Sequence, residues 1–193
     1  MVMLYTYKTS RLTLKILHED AAGLTTEFFR KNQEFFSPWE ASHPPGYYTE
    51  EYQRQVLAAE SVQHLRSQAV RYYLFITGKS PVIGTVGFSL PGCSPESCCR
   101  LGYRLDKDYT GRGFMTEALM YLIPKVFFFY QIHRMEANVL PENAPSLRLL
   151  KRLGFIQEGT ARGYAFLGGR YRDLLRYSLL SDEIFPKCGK SAE

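Results

Sequence analysis

Long basic runs, metal-type cysteine pairs and long apolar stretches are all missing from this 193-residue chain. Its 24 Lys and Arg residues against 19 Asp and Glu give a net charge of +5, spread along the chain rather than gathered into a tail for nucleic acid. The four cysteines, Cys93, Cys98, Cys99 and Cys188, lack the spacing of a zinc site, and adjacent Cys98 and Cys99 are poorly placed to chelate one ion together. Reduced thiols and no metal are expected. Lys8 and Arg11 interrupt the N-terminal "MVMLYTYKTSRLTLKIL" before any apolar run reaches signal-peptide length, and no stretch is apolar enough to span a bilayer. A cytoplasmic protein without membrane or nucleic-acid partners is the resulting expectation. Two phosphate-binding fingerprints are absent as well: no G-x-x-x-x-G-K-S/T occurs, and "GRGFMT" fails G-x-G-x-x-G, so neither a P-loop nor a Rossmann turn is present.

With 45% apolar residues the chain is long enough for one well-filled core, which predicts one domain over residues 1–185 and a loose tail over 186–193. "RLTLKIL" (Arg11 to Leu17) alternates as a half-buried strand, and a helix is expected from Ala21 to Lys31. Pro38, Pro44, Pro45 and Gly46 then exclude regular structure and imply an ordered, aromatic-rich loop. Thr49 is a candidate N-cap for a helix to Leu65, with Glu50 and Glu51 on its positive end. "VRYYLFI", "VIGTVGFSL" and "CRLGYRLD" read as three strands.

"DYTGRGFMTEAL" (Asp108 to Leu119) lies between the last of these strands and a helix whose Phe114, Ala118, Leu122 and Val126 share one face. Gly111 and Gly113 sit at the helix mouth. There the first backbone amides have no helical partner, the dipole is positive, and glycine lets an anion approach without a Cβ in the way. A pyrophosphate suits such a turn, and so does a plain tight turn with no ligand. Pro124 is expected to kink the helix. Beyond it come a strand, "HRMEANVL", a short helix in "ENAPSLRLLKRLGF" ended by Gly154, and a hairpin turned at Gly168 and Gly169.

Together, "LGYRLDKDYTGRGFMTEAL", "HRMEANVLPENAPSLRLLKRLGF" and "EGTARGY" followed by "GGRYRDLLRYSLL" resemble the GCN5-related N-acetyltransferases (GNAT). Within them they resemble the RimJ/RimL type, which acetylates protein N-termini, including those of ribosomal proteins. "SRLTLKIL" and "NQEFFSPWE" extend the resemblance over nearly the whole chain. It implies an α/β (α+β) GNAT fold: a mixed, mostly antiparallel sheet of about seven strands, splayed at the acetyl-CoA site and flanked by about four helices. It also implies acetyl-CoA as co-substrate, with its pyrophosphate on the amides of Thr110, Gly111, Arg112, Gly113, Phe114, Met115 and Thr116. Thr110 replaces the family's basic or amide residue and Met115 its small one. Tyr103, Arg104 and Leu105 would pair with the pantetheine through their backbone, Asn143 would hydrogen-bond it, and Ser146 would lie near the thiol. Asn143 is equally a candidate N-cap.

The implied reaction is attack of a neutral amine on a thioester. An α-amino group of pKa ~8 is mostly protonated at neutral pH, so a proton must be removed. A backbone NH from Leu101 to Tyr103 offers a donor to the developing oxyanion, a contribution of about 3 kcal/mol. Glu40 in "SPWEAS" is the candidate base, with a purely electrostatic attraction for cationic substrates as the alternative reading. Trp39, Glu40 and Tyr164 are expected to line the acceptor pocket. Asp173 is expected to pin the hairpin, and Ala165 stands where some relatives carry a glutamate. The acceptor is expected to be a protein N-terminus; a small amine is the alternative and a non-catalytic acyl-CoA-binding module a third reading. A monomer and a homodimer are both open.

Overall fold

A computed structural model describes residues 3–90 and 98–185. The expected tail, Cys93 and Cys188 lie outside the described residues. Eight strands form one sheet in the order β1-β2-β3-β4-β5-β6-β8-β7. They are β1 (Thr6–Lys8), β2 (Leu12–Lys15), β3 (Ala69–Ile76), β4 (Val82–Ser89), β5 (Cys99–Leu105), β6 (Arg134–Val139), β7 (Ile156–Leu167) and β8 (Arg170–Leu180). All neighbours are antiparallel except β5 and β6. Four longer helices are present, α1 (Ala22–Lys31), α3 (Glu50–Leu65), α4 (Phe114–Tyr130) and α5 (Ala144–Arg152), with one-turn helices α2 (Gln33–Phe36) and α6 (Ser181–Ile184).

Strand β3 explains the layering. Val70, Tyr72 and Leu74 point to one face and join Ala118, Leu122 and Val126 of α4 in a core. Tyr73 and Phe75 point to the other and join Phe28, Phe29 of α1 and Leu57 of α3. A strand buried on both faces reads as a continuous apolar run, as "VRYYLFI" does. The Thr49 hydroxyl accepts from the Tyr52 amide at 3.3 Å, so the expected cap of α3 is formed. At the β7–β8 turn Gly168 (φ +57°) and Gly169 (φ +77°) are both left-handed, the geometry of a two-residue hairpin loop.

The structure corrects one of these expectations and sharpens two. The sheet has eight strands, because the segment before "RLTLKIL" adds β1, paired to β2 through Thr6–Lys15 and Tyr7–Leu14. The proline-rich segment is not free of regular structure: α2 runs straight into a 3-10 turn, Ser37–Trp39. Pro38 sits in the first turn of that 3-10 segment, where its missing NH costs nothing. Helix α4 runs from Phe114 to Tyr130 with Pro124 inside it. Among the described residues no helix is long and apolar enough to cross a membrane.

Candidate active site

Strands β5 and β6 run parallel but pair only at Cys99–Met135 and Arg100–Glu136. From Leu101 and Ala137 onward the two strands have no pairing with each other, while β4 and β8 still cover their far sides. The edges facing this gap are unpaired backbone, which an extended ligand can satisfy as an added strand would.

At the end of β5 the Asp106 carboxylate accepts from the Asp108 amide at 2.9 Å and starts a 3-10 turn, Lys107–Tyr109. Lys31 of α1 reaches Asp106 at 2.7 Å and Asp108 at 2.6 Å, which ties this turn to the first helix. The chain then turns through Gly111 (φ +71°) and Gly113 (φ +78°) into α4. Gly113 is the N-cap and no side chain caps the helix. The amides of Phe114, Met115 and Thr116 are thus left for a ligand. A Cβ on Gly111 would meet nothing within 4 Å, so the space beside this turn is open.

Glu117 anchors the turn from behind. It accepts from the Thr9 hydroxyl at 2.6 Å, the Ser10 hydroxyl at 3.0 Å and the Arg11 amide at 2.9 Å, and pairs with the Arg11 guanidinium at 2.6 Å. Arg11 also donates to the Arg112 carbonyl at 3.0 Å. Arg112 itself is exposed, its guanidinium over Phe114 at 5.2 Å, and Phe114 and Met115 side chains are buried. These residues offer a ligand their backbone, not their side chains.

Two cavities flank the gap. One, of about 590 Å³, is lined by Leu105, Thr110, Gly111, Gly113 and Thr116, with Arg148 and Arg152 of α5. The other, of about 520 Å³, is lined by Glu60, Arg71, Ser89, Asn138, Ala165 and Leu174, among others. Trp39, Glu40, Tyr103, Arg104, Asn143 and Ser146 line both, so the cavities meet at these six. All six were expected at the site for a side chain or a backbone group, and Asn143 does cap α5 too, accepting from the Ser146 amide at 3.2 Å. Tyr164 is not brought there: it is 47% exposed, while its neighbour Ala165 lines the cavity. Asp173 accepts from the Gly163 amide at 2.7 Å and pins the β7 bulge next to Tyr164.

Long-range side-chain partners were out of reach of the sequence. Arg104 was expected to act through its backbone; its guanidinium has a further role and grips Glu40 with two groups, Nε on Oε1 and Nη2 on Oε2, the latter at 2.9 Å. His43 Nε2 lies 3.1 Å from Glu40 Oε2, and its ring stacks on Tyr47 at 3.7 Å. Glu40 is therefore held in one place by two neighbours. The Tyr103 hydroxyl is buried without a hydrogen bond of ordinary geometry. Burial pushes this phenol up to about 12, with the Ser146 hydroxyl acting in the opposite direction. An orphaned buried hydroxyl at the meeting point and open space over two left-handed glycines both suit a long, partly anionic ligand laid through the gap.

A helix mouth open to a pyrophosphate, a strand edge open to an extended arm and a second cavity beyond define a coenzyme A-dependent acyltransferase. Residues 11–156 match the family described as Acetyltransferase (GNAT) domain, and the chain belongs to that family. It is an N-acetyltransferase, and acetyl-CoA is its acyl donor. The chain is similar to the ribosomal protein uS5-alanine N-acetyltransferase of Escherichia coli (strain K12), 31% identical over 179 residues, 92% of each chain. It is also similar to the probable N-acetyltransferase YjcK of Bacillus subtilis (strain 168), 31% identical over 155 residues, 80% of this chain and 83% of the relative. Among solved structures, the ribosomal-protein-S5-alanine acetyltransferase from Vibrio fischeri superposes with a TM-score of 0.86 at 26% identity, covering 92% of this chain and 97% of that one.

Proposed function

We propose that this enzyme acetylates the α-amino group at a protein N-terminus, with a ribosomal protein as acceptor. The observation that carries the reading is the second cavity, which meets the cradle cavity at six residues and leaves room for a chain end beside a thioester. The names of the Escherichia coli and Vibrio fischeri relatives, both alanine acetyltransferases of a ribosomal protein, support the choice of acceptor. Residues 1–185 act in this reading as one catalytic unit.

Acetyl-CoA supplies an acyl group already activated as a thioester. The amides from Gly111 to Thr116 hold the pyrophosphate, with Arg148 and Arg152 adding positive charge on the same cavity. The free edge of β5 at Tyr103, Arg104 and Leu105 aligns the pantetheine, and Asn143 and Ser146 border the reacting end. Backbone NH groups of that edge stabilise charge developing on the thioester oxygen. Glu40, gripped by Arg104 and His43, serves as a fixed negative charge facing the acceptor's ammonium rather than as a free base.

The test is mass spectrometry after incubation with acetyl-CoA, unacetylated ribosomal proteins, short peptides beginning with Ala or Ser, and a set of small amines. Acetylated protein and peptide N-termini are expected. Acetylation of small amines alone would replace the reading with a metabolite acetyltransferase, and tight CoA binding without turnover would replace it with a binding module.

A further inference from the structure

The acceptor cavity contains a second carboxylate that the mechanism above does not use. Glu60, on the last turns of α3, forms an ion pair with Arg71 Nη1 at 2.9 Å through one oxygen and accepts from the Tyr73 hydroxyl at 2.9 Å on the other. Its side chain is only 13% exposed, and it lines the same cavity as Glu40, Asn143 and Ser146. Glu40 carries three partners, Arg104 Nε on Oε1 and both Arg104 Nη2 and His43 on Oε2; Glu60 carries two, one on each oxygen, so each of its oxygens keeps a lone pair for another proton.

The register of the sheet opens a path from Glu60 to the gap. Arg71 lies beside Gly87 of β4, and Gly87 lies beside Gly102 of β5. The next row on the same face is Tyr73, Thr85 and Arg104. Neither Gly87 nor Gly102 puts a side chain in this row, and strands stand about 4.8 Å apart, so the row leads in two steps from the Glu60–Arg71 pair to the free edge of β5, with the Arg71 side chain over Gly87 and open space over Gly102. A Cβ on Gly87 would sit 3.4 Å from the Arg71 Nε, whereas one on Gly102 would meet nothing within 4 Å. The row is open at its reactive end.

We infer that Glu60 is the residue that takes the proton from the acceptor ammonium, directly or through one water, while Glu40 holds the ammonium in place. The inference rests on the acetyltransferase reading. In the step, one N–H proton passes to Glu60 and frees the nitrogen lone pair. That pair forms the C–N bond as the C–S bond breaks, and the sulfur leaves with the bonding electrons. The second proton lost as the amine becomes an amide ends on the sulfur, giving the free thiol. Glu60 then releases its proton to solvent through the open cavity. Burial raises the Glu60 carboxyl above the ordinary carboxylate range, against the charge of Arg71, the Tyr73 hydrogen bond and the more distant charge of Arg104, all of which lower it. Such a shift brings a carboxylate nearer to the pH at which it serves as a base. The charged and titratable groups facing this cluster are Arg71 and Tyr73 from β3, Arg104 from β5, and Glu40 and Tyr47 from the segment between α1 and α3.

The experiment is the kcat–pH profile with a peptide acceptor for wild type, Glu60→Gln, Glu40→Gln and Tyr73→Phe, with acetyl-CoA affinity as the control for folding. Glu60→Gln should lose about 10²-fold in kcat at neutral pH and recover as the amine becomes neutral at higher pH. Glu40→Gln should raise the acceptor KM and keep the acidic limb of the profile. Tyr73→Phe removes a bond that lowers the Glu60 carboxyl, so its acidic limb should move to higher pH; this variant decides the matter if Glu60→Gln fails to fold. A folded Glu60→Gln with wild-type kcat and limb, or a folded Tyr73→Phe with an unmoved limb, overturns the assignment. Wild type that acetylates no amine overturns the acetyltransferase reading itself, and the Glu60 assignment with it.

Discussion

Gly111 contributes to the site through the side chain it lacks. Its φ of +71° is strained for any residue with a Cβ, and the empty space beside it is where the proposed mechanism places the pyrophosphate. Gly111→Ala should cost about 1 kcal/mol of stability from the left-handed backbone. Acetyl-CoA affinity should fall by about tenfold, measured by calorimetry, from the added methyl group and displaced amides. Unchanged affinity in the folded variant would take phosphate binding away from this turn. Gly113 is a poor position for a proline test, since its φ of +78° has the opposite sign to the value a proline ring enforces. The glycine pair was legible in the sequence because its meaning is local: a strand, a turn and a helix within a dozen residues. Glu40 was legible only as a carboxylate among aromatics. Its partner Arg104 lies 64 residues away and meets it only because the register places Arg104 on the α1 and α3 face of the sheet. Tyr164 illustrates the converse, since the β7 bulge between Ala161 and Ala165 breaks the strand alternation that would decide which way it faces.

Helix α4 was readable in outline from its apolar spacing, and Phe114, Ala118, Leu122 and Val126 are all buried. Its attachment was not, because that depends on Glu117, which ties its first turn to the β1–β2 turn at Thr9, Ser10 and Arg11. Burial raises the Glu117 carboxyl, but the bonds from Thr9, Arg11 and Ser10 outweigh it and hold it at about 2. A pKa depressed in the folded state gives stability that is complete above the unfolded value, near 4.5, and is lost as pH falls toward 2. Urea unfolding between these pH values should therefore show a stability loss on the order of 2 kcal/mol from this group in wild type. Glu117→Gln should be less stable at neutral pH and lose less on acidification; an identical acid slope in the variant would deny Glu117 this role. The α2 and Ser37–Trp39 turns were missed for a different reason. Four closely spaced Pro and Gly residues dominate the local pattern, yet each helical stretch here is too short to contain an internal hydrogen bond that Pro38 would remove.

On the scale of the molecule, every neighbouring pair in the sheet but one is antiparallel, and the parallel pair, β5–β6, stops after two residue pairs; the proposed chemistry sits in that interruption. The alternation of strands and helices made the architecture legible; the depth of the splay was implied only by family resemblance, since no residue pattern states where two parallel strands stop pairing. In the proposed reading the donor and acceptor cavities meet at six shared residues, so both substrates fit at once and the acyl group has no need to rest on the protein. Initial-velocity lines with acetyl-CoA and a peptide varied together should intersect, and intact mass should show no acetylated enzyme before the acceptor is added; parallel lines would contradict simultaneous occupancy. The same continuity makes the passage a mould for a single molecule. A conjugate in which coenzyme A sulfur is tethered through a short acyl bridge to a peptide N-terminus would span both chambers, and binding one half would hold the other at high effective concentration, so its affinity should exceed that of either fragment by orders of magnitude.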